Sequence, residues 1–524
     1  MPFAGENKRE KVIVLFTMCI ALFMAMLDNT VVNVALPTLS RKLGAGVSGL
    51  QWIVDGYVLA FASLLLTGGI MGDRYGRKKM FLAGLGLFTL SSLLCGLSGS
   101  TGQLVAFRAL QGVGAALLMP GTLSILTVTF PAEERAQAIG IWAGVSGLAL
   151  ALGPTAGGWL VEHVGWQSVF FLNVPIGFVG FLIASRTVKE SRAPHARSLD
   201  LIGLGLGTLA LVSVTYGLIE ANQKGWSDPV IVGALVAAAI LFAVFIVFEG
   251  RNPKAMMPLS FFRYPAFSAG NFVAFAVSLG LFGTFFFLSL YMQLVRGYSP
   301  LQAGVRFLPM TLMIVVTAPN AGKLAQRRGS RLPMSIGLTL AAFGLGAMSL
   351  LGATTSFAYA IPLLMMMGVG MGMTMTPMTA AVMNAVGPAR AGLGSATTNT
   401  SREVGGVFGI ALLGTLLTTK LKSSITAKLA TSGLGFTQKA AVIAAAGHGR
   451  VTPGLFKGMT LQQVILVRTS FASSFIEGFH ITVLVGASML LLAAVVANRF
   501  IPSAVHSSEH EQARDEEAAL AAGH

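Results

Sequence analysis

Four ionisable side chains sit where water is scarce. Asp28 lies in the apolar run KVIVLFTMCIALFMAMLD, Arg108 in LVAFRALQGVGAALLM, and the adjacent Arg402 and Glu403 in the apolar run that follows residue 392. A carboxylate in such surroundings needs a cation, a proton or a ring of donors, and an arginine there needs a carboxylate or a wet cavity. Asp28 and Glu403 are therefore candidates for holding a proton or a cationic molecule, with Arg108 as partner or relay. Asn29 and Asn33, one helical turn apart, add polar atoms on nearby faces. Adjacent helical positions point about 100° apart, so Arg402 and Glu403 cannot both serve one neighbour. Two plainer readings stay open: a fixed buried pair of Asp28 with Arg108, and a Glu403 that balances Arg402 through water. Asp55, Glu220, Arg306 and Glu477 stand near the ends of their runs, where solvation accounts for them, although Asp55 and Glu220 could also attract a cation. The lone His480 reads as a packing residue.

Other chemistry is missing from the chain. There is no Gly-x-x-x-x-Gly-Lys-Ser/Thr loop, so no ATP site, and neither His-Glu-x-x-His nor a serine elbow, so no hydrolytic enzyme is expected. Cys19 and Cys95 both fall inside apolar runs, which offers neither a disulfide framework nor a metal cluster, and no cofactor is implied. Met365, Met366, Met367, Met371, Met373 and Met375, with Phe282, Phe285, Phe286 and Phe287, could line a pocket for lipophilic guests or simply pack.

The elements that carry these residues follow from composition. Of 524 residues, 54% are apolar and 11% charged. Soluble domains carry about 25% charged residues. Runs long enough to span a bilayer fall near 12–36, 50–71, 79–98, 103–129, 136–161, 167–186, 201–221, 229–248, 267–292, 301–322, 332–352, 356–383, 393–419 and 471–497, fourteen in all. The first is too long for a signal peptide and contains Asp28, so it reads as a span. The net charge of +16 is then a statement about topology, not about nucleic acid. With the N-terminus inside, 22 of the 36 Lys and Arg residues fall on the inner side and only Arg41, Lys42, Lys224 and Arg296 in short outer loops, which predicts two cytoplasmic termini.

A repeat fixes the expected architecture. Gly69-Ile-Met-Gly-Asp73-Arg74-Tyr-Gly76-Arg77-Lys78 after span two aligns without a gap, at an offset of 253, with Gly322-Lys-Leu-Ala-Gln326-Arg327-Arg-Gly329-Ser330-Arg331 after span ten. A six-span unit thus recurs with two spans inserted. The all-α membrane fold expected has a six-helix bundle over 1–190, two inserted helices over 191–262, and a second bundle over 263–500 with a long outer loop at 420–470. The acidic tail 501–524 is expected to be disordered.

At this point the motifs resemble a known family. Gly69 to Lys78 resembles the loop signature of the major facilitator superfamily, and Leu104-x-x-x-Arg108-x-x-Gln111-Gly112-x-Gly114 its second motif, whose arginine is associated with proton transfer. Gly144-Val-Ser-Gly147-Leu-Ala-Leu-Ala-Leu-Gly153-Pro154-Thr-Ala-Gly157-Gly158 is similar to the motif of the family's exporters, and Leu27-Asp28-Asn29-Thr30-Val31-Val32-Asn33 to its fourteen-span branch, the drug:proton antiporter-2 family. Ser198-Leu199-Asp200 at the start of span seven also resembles that branch. The resemblance implies a proton-coupled exporter of lipophilic, cationic or amphipathic compounds in the bacterial inner membrane; the partners expected are a small-molecule substrate, protons and membrane lipid, without nucleic acid, and a monomer is the expected state although the sequence does not fix it. Gly69, Asp73, Arg74, Gly76 and Arg77, with Gly153, Pro154, Gly157 and Gly158, would govern the conformational change. An exporter of the cell's own metabolite, antibiotic or lipid, or a non-transporting sensor, would keep the same motifs. Gln326 replaces the acid in the second copy, which leaves a charge lock there in doubt.

Overall fold

The computed structural model describes residues 8–192, 199–252, 255, 257, 259–386, 391–430, 432–447 and 453–503, so the acidic tail from 504 onward lies outside the described residues. Among these residues fourteen helices are long and apolar enough to cross a membrane: α1 (Arg9–Leu43), α2 (Val47–Tyr75), α3 (Arg77–Gly96), α4 (Thr101–Thr129), α5 (Gln137–His163), α6 (Ser168–Thr187), α7 (Leu201–Ala221), α8 (Pro229–Arg251), α9 (Pro265–Val295), α10 (Pro300–Arg328), α11 (Arg331–Leu350), α12 (Phe357–Val386), α13 (Gly394–Ala430) and α14 (Leu461–Phe500). Hydrocarbon offers backbone groups no partner, so runs this apolar close their hydrogen bonds internally as helices.

Punctuation in the sequence sets their ends. Pro229, Pro265 and Pro300 open α8, α9 and α10, where a missing N–H costs nothing. Asp200 and Asp228 cap α7 and α8 through Gly203 N at 2.8 Å and Val230 N at 2.8 Å. Gly76 between α2 and α3 has φ 120°, and Gly329 between α10 and α11 has φ 78°. These two glycines are equivalent in the 253-residue repeat, and both backbones turn through a region that a Cβ disfavours.

Packing repeats with the sequence. In the first six helices α2 lies on α4, α3 on α4, α1 on α5, α3 on α6 and α1 on α6. In the last six, α10 lies on α12, α11 on α12, α9 on α13, α11 on α14 and α9 on α14, which is the same set shifted by eight helices. The result is two six-helix bundles with α7 and α8 paired as an inserted hairpin. Two seams join the bundles, α5 against α10 and α2 against α13, and the repeat maps one onto the other; α1 and α9 meet between them.

The bundles are fastened at the far face, where α1 ends. Ser289 Oγ donates to Asn33 O at 2.8 Å, Gln293 Nε2 to Val34 O at 3.0 Å, Gln51 Nε2 to Ile410 O at 2.7 Å and Leu301 N to Glu162 Oε2 at 3.0 Å. The segment 420–470 departs from the expected loop. α13 continues to Ala430, a short helix follows at Phe436–Gly447, and α14 begins at Leu461. Ile425, Leu429, Leu434, Val442, Ala446 and Val467 are buried there, so enough apolar surface is covered to hold helices beyond the span.

Candidate functional site

Asp28 is the centre of a buried polar knot built from five helices. α4 places Arg108 and Gln111 three residues apart on one face, and both reach Asp28. Arg108 Nη1 donates to Asp28 Oδ2 at 2.5 Å, Gln111 Nε2 to Asp28 Oδ1 at 2.9 Å, and Asn173 Nδ2 from α6 to the same oxygen at 2.8 Å. Arg108 also donates from Nη1 to Gln111 Oε1 at 2.8 Å and from Nε to Ile53 O of α2 at 3.2 Å. Asn173 Nδ2 lies 3.0 Å from Ser92 Oγ of α3, and Ser92 in turn donates to Phe170 O at 2.9 Å. The Arg108 guanidinium stacks 4.2 Å above the Tyr57 ring. Asp28 is 1% exposed and Arg108 fully buried. Two charges taken out of water are tolerable only when paired and hydrogen-bonded, and each oxygen of Asp28 is so held. A proton placed on Asp28 would leave Arg108 uncompensated, so the charge states of the two are linked.

Asn173, Ser92 and Tyr57 complete the knot without having been singled out by sequence. An amide inside the span 167–186, away from Gln167 at its edge, is the available signal for Asn173, since a buried amide needs partners as a carboxylate does. Close approach makes the geometry possible. A Cβ on Gly112 would stand 2.3 Å from Tyr57 O, so only glycine lets α4 come near enough to α2 for Arg108 to lie across the Tyr57 ring.

The remaining candidates lie elsewhere. Glu403 on α13 is buried, with Oε2 lacking a hydrogen-bond partner, and Arg402 beside it is half-buried, with Nε likewise unpartnered. Glu403 falls within electrostatic reach of Tyr57, the residue that also meets Arg108, so the two bundles' charged groups share one neighbour. Asn33 Nδ2 donates to Asn29 O at 3.0 Å, while Oδ1 of both asparagines is buried and unpartnered. Asp55 and Glu220 correct the expectation of solvated run ends. Asp55 is 0% exposed, with neither carboxylate oxygen hydrogen-bonded, on a helix that packs against both α13 and α7. Glu220 is half-buried and accepts Trp52 Nε1 at 2.9 Å. Arg306 stacks 3.8 Å over Tyr298, and His480 Nε2 lies 2.9 Å from Leu351 O. Of the methionine and phenylalanine rows, Met367, Met371, Phe285, Phe286 and Phe287 are core, while Met365 is 38% exposed.

Both motif segments have a mechanical setting. Arg77 grips Asp73 Oδ1 through Nη2 at 2.8 Å and Nε at 2.9 Å, whereas Arg74 leans over Tyr75. Glu190, beyond α6, accepts from Lys78 N and Lys79 N at 3.1 Å each and so caps α3 from outside. A Cβ on Gly76 would meet that carboxyl at 2.7 Å, and one on Gly69 would rest 3.6 Å from Pro120. In the second copy Gln326 and Ser330 occupy the positions of Asp73 and Arg77, so that ion pair cannot form. On α5, Gly153 faces Thr30 and Gly157 faces Val31 of α1, while Gly158 faces Pro300 and Leu301 of α10. Gly304 of α10 faces Pro154, where a Cβ would stand 2.1 Å from the carbonyl oxygen.

The family model described as "Major Facilitator Superfamily" matches residues 18–410. The "Tetracenomycin C resistance and export protein" of Streptomyces glaucescens is 36% identical over 491 residues, 92% of this chain and 90% of that one. The "Multidrug resistance protein Stp" of Mycobacterium tuberculosis is 32% identical over 95% of this chain and 94% of its own. A "Methylenomycin A resistance protein" of Bacillus subtilis is 37% identical over 77% of this chain and 87% of its own. Among solved structures, a bacterial homologue of the human lysosomal transporter Spinster shares the fold with a TM-score of 0.64, covering 95% of this chain and 100% of that one at 18% identity. A gap-free repeat, two matching bundles with an inserted hairpin, a buried Asp28–Arg108 knot and these matches lead to one assignment: the chain is a multi-pass membrane transporter of the major facilitator superfamily.

Proposed function

We propose that the chain is a proton-coupled antiporter that exports lipophilic, cationic or amphipathic compounds by alternating access. The rocking bodies are residues 1–190 and 263–500, with 191–262 between them, in a plasma membrane with both termini cytoplasmic. On that topology the far face is the outer one, and the fastenings there hold the outside shut. The observation that carries the reading is the Asp28 carboxylate, buried and saturated by Arg108, Gln111 and Asn173. A buried pair earns little stability by itself, so its retention in a membrane core supports a working role: the charge balance changes when a proton or a cationic molecule reaches it. Glu403, in the other bundle, is the second proton or substrate group, with Arg402, Asn29, Asn33, Asp55 and Glu220 as polar neighbours along the route. Lys and Arg are concentrated on the near side, which supports its assignment as cytoplasmic. The relatives' names, which include resistance to and export of an antibiotic, favour toxic organic compounds as cargo.

The test is uptake of a fluorescent lipophilic cation into inside-out vesicles energised with a proton gradient. Gradient-dependent uptake that a protonophore abolishes and that Asp28→Asn loses is the expected result. Uptake insensitive to both would sink the coupling, and equal competition by neutral and cationic dyes, with the flux of both spared in Asp28→Asn, would sink charge recognition.

A further inference from the structure

The inserted hairpin lies along one of the two seams. α7 packs against α2 of the first bundle and against α13 of the second, bridging the seam at the far face. Three side chains tie it there. Ser48 Oγ donates to Ile219 O at 3.3 Å and Trp52 Nε1 to Glu220 Oε1 at 2.9 Å, both from α2. Thr415 Oγ1 of α13 donates to Leu218 O at 2.6 Å. Trp52 and Tyr216 add a ring contact with centroids 6.4 Å apart.

We propose that α7 is a latch, which holds the far face shut by binding both bundles at once and lets go of α13 when that face opens. The proposal rests on the alternating-access part of the function above, and on neither its substrate nor its proton. Chemistry decides which side releases. The Thr415 hydroxyl has one hydrogen and two acceptors in reach, Leu218 O and its own helix's Ala411 O at 2.9 Å. On parting it keeps the second, and Leu218 O remains within the α7 helix, so no polar group is orphaned. Trp52 has a single N–H, and Glu220 is its acceptor; pulling these apart would give up a hydrogen bond to a carboxylate with no second acceptor on its own helix to replace it. The α2 side holds and the α13 side gives. α8 follows, because Gly217 lets Leu235 pack against α7 so closely that a Cβ would stand 2.6 Å from it.

The experiment uses the full chain in lipid nanodiscs without substrate, with spin labels at Lys42 and Thr354 reporting the far-face distance between bundles. Thr415→Val, which keeps shape and removes the hydroxyl, is expected to raise the far-face-open population about fivefold, the worth of one net hydrogen bond. Two cysteine tethers then separate the sides. Ser48→Cys with Ile219→Cys, closed by a short cross-linker, fixes α7 to α2 and leaves opening at the wild-type level. Leu218→Cys with Thr415→Cys fixes α7 to α13 and abolishes it. An unchanged distance distribution in Thr415→Val, or opening that survives the α13 tether, overturns the latch, and the reverse pattern of the tethers overturns the assigned side. Because the readout is a distance and not a flux, failure of the drug-export reading would leave the latch result standing.

Discussion

Arg108 meets a carboxylate, a carbonyl, an amide and an aromatic face at once, with its Nη2 buried and unpartnered, so its removal harms more than its own contacts. Arg108→Leu leaves Asp28 buried and unbalanced, a change that costs about 3–5 kcal/mol in comparable buried pairs. Adding Asp28→Asn to that variant takes away the stranded charge, and thermal unfolding in detergent is expected to show roughly half the loss recovered. Equal stability of the single and double variants would mean that the pair is not charged in the folded protein. Asn173→Leu removes a neutral donor from Asp28 and is expected to lower gradient-driven flux several-fold with little change in unfolding temperature, read by the vesicle assay and by thermal melts. At this scale sequence reveals charge better than it reveals partners. Asp28 and Arg108 stood out because charges in apolar runs are costly, whereas Ser92 and Asn173 looked like ordinary polar residues of a membrane helix. Asp55 misled in the opposite sense: its distance from the run end suggested water, and nothing local announces that its helix packs against both α7 and α13.

Glycine governs how helices meet across the first seam. Gly158 and Gly304 bring α5 and α10 backbone to backbone, and a Cβ at Gly304 would intrude on Pro154 O at 2.1 Å. Such overpacking costs about 1–3 kcal/mol, so Gly304→Ala is expected to weaken far-face closure by roughly five- to 150-fold in the spin-label distance measurement. Gly140→Ala is the control, since a Cβ there meets nothing within 4 Å, and it should leave the distances unchanged. If both variants behave alike, close packing at the seam does not set the closed state. Element positions were largely legible, because length and apolarity define a span and Gly76 and Gly329 punctuate equivalent turns. The helices beyond the span at 420–470 were not. Ala, Gly and Lys there leave order open, although Thr460 and Gln463 spell a helix start, a capping box.

Two bundles related by a repeat must exchange one set of contacts for another when they rock, and the far-face bonds have to break for that. A short bridge between Val34→Cys and Gln293→Cys, placed where Gln293 Nε2 now meets Val34 O, is expected to stop flux, with recovery on reduction to the level of the unbridged variant. Continued flux in the bridged protein would show that this face does not open. The two-bundle plan follows from the 253-residue offset, whereas the placement of α7 on one seam and not the other does not, since it is packing between distant segments that tells the seams apart.

The paired extensions of α13 and α14 bear on how this protein can be imaged. At 1.5 Å per residue, α13 from Thr415 to Ala430 and α14 from Leu461 to Glu477 each run about 20 Å. They are pinned to each other by Lys428 and Lys420 on Glu477, at 2.8 Å and 3.6 Å. A 54.6 kDa transporter is otherwise a featureless ellipsoid inside its detergent belt, with a pseudo-twofold axis that invites misalignment. Among the described residues this landmark is built from helices of the second bundle, so it marks one half of the pseudo-symmetric pair, and single-particle classes are expected to orient on it without an antibody fragment.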